Sequence, residues 1–133
     1  MFEFQTKIKL HHTDAAGIMF FANYFELAHD AYEAFLESIG FSIRDMLDKL
    51  DFLLVIVHAE ADFKVPYRLG EKINIKIHLE KISTSSIVLQ YDFLNSNQKK
   101  TGFAKTVHVS INKKTNQKQI LPESLRLALD NVK

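Results

Sequence analysis

The chain has 133 residues, 47% of them hydrophobic, enough for one globular domain with a real core, taken as residues 1–133. Seventeen basic against sixteen acidic residues leave a net charge of +1, so nothing in the charge balance asks for a nucleic acid or another polyanion. The absence of cysteine excludes a disulfide framework, a thiolate zinc site and a cysteine nucleophile together.

The opening MFEFQTKIKL alternates, with Phe2, Phe4, Ile8 and Leu10 as its apolar positions, and predicts a short strand rather than a signal peptide. HTDAAGIMFF then sets one carboxylate, Asp14, before Ala15, Ala16 and Gly17 and turns sharply apolar. From Phe20 to Gly40 the polar residues Asn23, Glu26, His29, Asp30, Glu33 and Glu37 recur at the spacing of an amphipathic helix. Its apolar arc, from Phe20, Phe21, Tyr24 and Phe25 to Leu36 and Ile39, is wide enough to be embraced by a sheet, and Gly40 suits the position that ends it. SIRDMLDKL predicts a short second helix capped by Ser42.

More alternating stretches follow. Their apolar positions are Val57, Ala59, Ala61, Phe63, Val65 and Tyr67, then Ile73 to Leu79, then Ile87 to Phe93. The last runs Phe103, Val107, Val109, Ile111, with Lys105 as its one break. Arg68-Leu69-Gly70, Ser83 to Ser86 and Asn95 to Gln98 separate these stretches, and connections so short imply antiparallel neighbours. PESLRLALDNV predicts a C-terminal helix beginning at Pro122. The expected class is α+β, a long helix with one antiparallel sheet of about five strands. No apolar run approaches the roughly 18 residues of a bilayer span, so a cytoplasmic protein without membrane insertion is expected.

Asp14 has two readings. As turn chemistry, it accepts backbone N–H bonds at a helix entry. As catalytic chemistry, it stands beside residues so small that a substrate carbonyl can approach bare backbone. The helix-starting N–H groups near Phe20 and Phe21 would be unpaired and partially positive. A carboxylate facing such donors is a minimal acyl-transfer site.

Other polar residues are weaker candidates. His29 and Glu33 lie on the polar helix face, but no second histidine completes an H-E-x-x-H pattern, and an ordinary solvated face is the simpler reading. Adjacent His11 and His12 would point to opposite faces of a strand, so no metal is expected there. His58 falls on the polar side of its strand. The serines from Ser83 lack G-x-S-x-G, and the scattered glycines make no phosphate loop.

At HTDAAGIMFFANYFELAHDAYEAFLESIG the sequence resembles the hotdog-fold acyl-CoA thioesterases of the 4-hydroxybenzoyl-CoA thioesterase family. That family opens with D-x-D-x-x-G-[IV]-[VM], an aromatic pair and N-Y on a strand-to-helix turn. Asp14 falls on the second acid and Gly17 on the glycine. His12 stands where the family has its first acid, so Asp14 has to act without a second carboxylate. IVHAEADFKVPYRLGEKI resembles the family's strand ending in F-x-x-P-x-x-x-G-[DE]. The likeness spans nearly the whole chain, weakening after Ser110. Within the family it is greatest to the 1,4-dihydroxy-2-naphthoyl-CoA hydrolases of quinone biosynthesis, which share A-A-G, F-A-N and H-[DE]-A-Y-E-A.

The resemblance implies a hotdog fold in which the sheet wraps the long helix, and a homotetramer built as a dimer of dimers. It implies that Asp14 attacks the thioester or deprotonates water, while backbone around Gly17, Phe20 and Phe21 polarises the carbonyl. No cofactor is implied, since coenzyme A is part of the substrate. An aromatic acyl group would meet Tyr24 and its neighbouring rings, with His29, Glu33 and His58 near ring hydroxyls; the competing reading makes those rings plain core. Lys64 and Arg68, with Lys105, Lys113 and Lys114, are the candidates for the CoA phosphates. The alternatives are a general short-chain or 4-hydroxybenzoyl-type thioesterase, and a non-catalytic acyl-CoA or acyl-carrier binding module. A pure binder has no need of a carboxylate at the carbonyl.

Overall fold

Alternating stretches become strands and the long amphipathic stretch becomes a helix, in the expected order. The computed structural model describes residues 1–133. In it β1 (Phe2–Lys7) leads through a single 3-10 turn (Leu10–His12) into α1 (Asn23–Ser38) and α2 (Ile43–Asp48). Then come β2 (Phe52–Phe63), β3 (Lys72–Ile82), β4 (Ser86–Leu94), β5 (Lys100–Asn112) and α3 (Glu123–Val132). All pairings are antiparallel, in one five-stranded sheet of spatial order β1-β3-β4-β5-β2.

That order corrects one expectation. Short connections make neighbours only of β3, β4 and β5. β2 lies at the far edge beside β5, so Arg68-Leu69-Gly70 belongs to a crossover between separated strands, not to a hairpin.

α1 lies against one face of the sheet. Leu27, Ala28, Ala31, Tyr32, Phe35 and Leu36 are buried in a core shared with Ile75, Ile77, Leu89, Tyr91 and Phe93. Each fully buried large side chain contributes about 1.5–3 kcal/mol, so this wide stripe is what holds helix and sheet together. Leu125 and Leu129 of α3 join the same core. The helix begins later than its pattern suggested. Asn23, Tyr24 and Phe25 return their N–H groups to the carbonyls of Phe20, Phe21 and Ala22, so a tight turn precedes the α-helix. Phe20 and Phe21 therefore stand outside the core, 45% and 58% exposed. At the other end the Phe41 N–H returns to Leu36 O past Gly40, and the Ser42 hydroxyl accepts the Asp45 N–H at 3.1 Å, as expected of a cap.

β3 and β4 bury the odd-numbered residues that their alternation marked, except Leu79, which is half-buried. β5 does the reverse. Its buried row is Ala104, Thr106, His108 and Ser110, while Phe103, Val107, Val109 and Ile111 are only half-buried on the other face. Small and polar residues suit the inner row because the Tyr32 ring packs flat on His108, with centroids 4.3 Å apart. Thr106 and His108 bond each other there at 2.8 Å. In β2 the register shifts between Ile56 and His58, leaving Val57 as the extra residue of a bulge. Leu54 and Ile56 share the helix-facing row before it, and Ala59, Ala61 and Phe63 after it.

Candidate active site

The site grows from a small hairpin. Thr13 and Met19 bridge antiparallel, the Asp14 N–H donates to Ile18 O at 2.9 Å, and the Gly17 N–H returns to Asp14 O at 3.0 Å. Gly17 closes the loop at φ +77°, a region costly to any residue with a Cβ. A Cβ there would meet nothing within 4 Å, so the turn demands glycine for its backbone and not for space. Asp14 is exposed at the loop's start. Its Oδ1 accepts the Ala16 N–H at 2.8 Å, which holds the side chain still and leaves Oδ2 without a partner in the chain.

The hairpin is tied to α1 through one carbonyl. His12 O accepts the Phe20 N–H at 2.9 Å and Asn23 Nδ2 at 2.7 Å. Two of the three backbone groups expected to polarise a carbonyl are thus spoken for, because Gly17 and Phe20 both donate within the chain. The Phe21 N–H has no partner in the chain, nor has that of Ala22, and no side chain caps α1. These donors stand at the positive end of the helix dipole. Sequence reasoning placed Asn23 only on the polar face and missed its anchoring bond. The F-A-N piece of the motif was the signal.

His12, at the family's first acidic position, is buried with 3% exposure, and its Nδ1 accepts the Lys9 N–H at 2.9 Å. Burial, then neighbouring His11, lowers its pKa, while Glu26 opposes the shift. The two rings lie 4.1 Å apart in a 3-10 turn, not on opposite faces of a strand as expected. With Glu26 they bring three possible ligand atoms within 4.8 Å of one another. Yet an imidazole whose Nδ1 accepts a backbone N–H carries its proton on Nε2, so His12 has no lone pair left for a metal.

The second motif lies beside the first. Met19 N–H donates to Tyr67 O at 2.7 Å, and Ile18 bridges Arg68. Between them opens a cleft of about 210 Å³ lined by Ile18, Phe21, Tyr24, Phe63, Lys64 and Pro66, among others. Tyr24 is buried, its ring 4.5 Å from that of Phe63 and its hydroxyl 3.3 Å from Val65 O. Burial pushes its phenol up to about 12, so it stays a neutral donor.

Not every candidate cation reaches this cleft. Lys64 lines it, and Arg68 lies along the hairpin, neither side chain being paired with an acid. Lys105 pairs with Glu80 at 3.1 Å on the sheet face away from α1. Lys113 Nζ donates to the carbonyls of Met46 and Leu50 at 2.8 and 3.0 Å, where it caps the end of α2. Lys114 follows β5, at the opposite end of that strand from Thr101, whose carbonyl accepts the Lys64 N–H. Lys105, Lys113 and Lys114 therefore lie away from this cleft of the chain.

His29 and Glu33 face outward on α1, 3.6 Å apart. His29 also lines a second pocket of about 270 Å³, with Phe25, Glu26, Ala28, Ile56, Ala59, Tyr91 and Thr106; Glu33 does not. His58 pairs in register with Val107, points away from α1 and lies 3.6 Å from Glu60, so the fold does not bring it to this side. Behind the second pocket runs a buried polar chain that the sequence did not reveal. Tyr91 OH lies 2.8 Å from Thr106 Oγ1, which lies 2.8 Å from His108 Nε2. Burial, then the charge of His29, lowers the His108 pKa to about 4, so the ring is neutral near pH 7.

A five-stranded antiparallel sheet around one long helix, with an acid-bearing turn at the helix entry, is the arrangement of a hotdog thioesterase. The chain belongs to the thioesterase-like superfamily, whose sequence profile matches residues 8–129. It is 32% identical over 126 residues to a 1,4-dihydroxy-2-naphthoyl-CoA hydrolase of Synechococcus elongatus, covering 94% of this chain and 92% of that one. The crystal structure of a 1,4-dihydroxy-2-naphthoyl-CoA thioesterase from Synechocystis superposes with a TM-score of 0.91 at 26% identity, over 98% of this chain and 96% of the other. That of a gentisyl-coenzyme A thioesterase gives 0.85 at 27% identity, over 93% and 98%.

Proposed function

We propose that this protein hydrolyses the thioester of an aromatic acyl-CoA, with 1,4-dihydroxy-2-naphthoyl-CoA of quinone biosynthesis as first choice. One observation carries the reading: Asp14, held by its Ala16 bond with Oδ2 free, stands on the hairpin that runs into the open N–H groups of Phe21 and Ala22. Asp14 takes a proton from water as the water adds to the thioester carbon, or adds itself and is released by water afterwards. The carbonyl oxygen gathers negative charge in either route, and the backbone donors lower that barrier because they are already oriented. The carbon–sulfur bond then breaks, and CoA leaves as a thiolate that takes up a proton. Carboxylate, water and N–H groups suffice, with no further cofactor.

Lys64 and Arg68 are the cations suited to the CoA phosphates. The assembly in this reading is a tetramer in the cytoplasm. Its first contact is the β2 edge, where Ile56 and Val57 are 46% and 60% exposed. Its second is the sheet face bearing Val55, Val88, Val107 and Val109, all half-buried and opposite α1. The activities of the relatives and the shared fold support the acyl-CoA class.

The test is a hydrolysis screen over aromatic, short-chain and long-chain acyl-CoAs, run on the wild type and on Asp14→Asn. Asp14→Asn should lose at least about 10²-fold in kcat, the low end for a positioned base, and still melt as the wild type does. A near wild-type rate in that variant would end the catalytic assignment. If acetyl-CoA or palmitoyl-CoA exceeded every hydroxylated aromatic thioester in kcat/KM, the aromatic reading would fall and a general thioesterase would stand in its place.

A further inference from the structure

The pocket beside His29 is almost wholly apolar. Ala28 and His29 of α1 form one wall, Ile56 and Ala59 of the β2 edge another, and Tyr91 and Thr106 the floor. Ala59, Ala61 and Phe63 stand in one helix-facing row, so this pocket continues the line of the cleft at Phe63, about 13 Å further along β2. The only hydroxyls at its floor are those of Tyr91 and Thr106, 1% and 4% exposed.

The direction of the hydrogen bonds behind that floor follows from His108. Its ring is fully buried, Nε2 lies 2.8 Å from Thr106 Oγ1, and Nδ1 has no partner. A neutral imidazole has one N–H. Either tautomer leaves one donor without a protein partner. It is the Nδ1–H, sealed in the core, or with the proton on Nε2 the Tyr91 O–H, which lines the pocket and can be met by water or a ligand. Sealing an unpaired N–H in the core is the costlier of the two. With the proton on Nε2, His108 donates to Thr106, Thr106 donates to Tyr91, and the Tyr91 O–H is left to donate elsewhere. Tyr91 accepts from Thr106 and has no other protein partner, so its free donor belongs to the pocket.

We propose that this pocket is the acyl slot and that Tyr91, oriented through Thr106 by His108, donates a hydrogen bond to a ring oxygen of a hydroxylated aromatic acyl group. The inference rests on the thioesterase reading above and adds its specificity determinant. A slot with apolar walls and one fixed buried donor, whose other polar side chains besides Thr106 are the exposed Glu26 and His29, accepts a flat ring and distinguishes an oxygen at its buried edge from a bare C–H. The Tyr91 phenol, pushed up to about 12 by burial, stays protonated over the working range and so keeps its donor.

The experiment compares kcat/KM for 1,4-dihydroxy-2-naphthoyl-CoA with that for 2-naphthoyl-CoA on each enzyme sample. The ratio cancels the active fraction, and dividing a variant's ratio by that of the wild type cancels the intrinsic reactivity of the two thioesters. In Tyr91→Phe the ratio should fall about three- to tenfold, the worth of one neutral hydrogen bond. Thr106→Ser, which keeps the relay, should hold the wild-type ratio. Inhibition of the wild type by 1,4-dihydroxy-2-naphthoate should be tighter than by 2-naphthoate by a similar factor, a comparison that needs no variant to fold. An unchanged ratio in Tyr91→Phe, or equal inhibition by the two acids, overturns the donor assignment and leaves thioesterase activity standing. If the wild type hydrolyses neither aromatic thioester, this proposal and the aromatic reading fall together.

Discussion

Met19 donates its backbone N–H to the Tyr67 carbonyl at 2.7 Å, and this bond joins two motifs that lie about 50 residues apart in the chain. On one side is the hairpin carrying Asp14 and Gly17. On the other is the segment from Phe63 to Gly70, carrying the free cations Lys64 and Arg68. The carboxylate proposed for the chemistry and the charges proposed for the CoA tail are therefore held by one short patch of backbone pairing.

Gly17 should resist substitution through its backbone. Gly17→Ala should cost roughly 1–2 kcal/mol, since the added Cβ finds open space and only the left-handed conformation is penalised. Gly17→Asn should cost less, because asparagine tolerates that region. Urea unfolding measures both. Equal stability of Ala, Asn and wild type would show the φ of Gly17 to be incidental.

Lys64 and Arg68 should act on KM. Exposed charge contacts to phosphates are screened over about 8 Å at physiological ionic strength, so KM should rise with salt while kcat moves little. Lys64→Gln with Arg68→Gln should raise KM at low salt and flatten its salt dependence. Lys113→Gln should instead lower stability, having removed the cap on α2. A salt-independent KM in the wild type would point to a carrier-protein substrate docked by other contacts.

Light scattering at micromolar concentration should return the mass of four chains. The β2 edge presents unpaired backbone and exposed Ile56 and Val57, which a second copy can cover by antiparallel pairing. Val57→Lys should weaken that association. A monomeric wild type would contradict the proposed assembly.

Stability should fall in mild acid because of His108. Its imidazole takes a proton near 6.5 when unfolded but only near about 4 when folded, burial being the main cause. Between those values the unfolded chain binds the additional proton, so the stabilisation is complete above about pH 6.5 and is lost as pH falls toward 4. The slope approaches about 1.4 kcal/mol per pH unit. His12, lowered by burial as well, acts in the same direction. Urea unfolding should show His108→Gln with a flatter profile across that window; an identical slope would remove His108 from the account.

Local pattern was enough wherever one residue's neighbours in sequence are also its neighbours in space. The period of β3 and β4, the stripe of α1, the Ser42 cap and the acid-glycine turn at Asp14 were all legible, because each depends on backbone geometry within a few residues. Residue spacing left Asp14 with both a turn and a catalytic reading, and only the resemblance to the thioesterase motif set it on the motif's acid.

Tertiary structure alone decided the rest. Alternation in β5 announces two faces but cannot say which meets the helix, and the more polar row won because Tyr91, Thr106 and His108 bond one another and Tyr32 lies flat on them. Phe20 and Phe21 look like core on a helical wheel, yet the His12 carbonyl captures the Phe20 N–H and Asn23 and holds the chain in a tight turn outside it. Lys113 reads as a free cation until carbonyls of a distant helix end surround it. A partner far along the chain can satisfy a donor or cover an apolar ring, and no local period records which partner that will be.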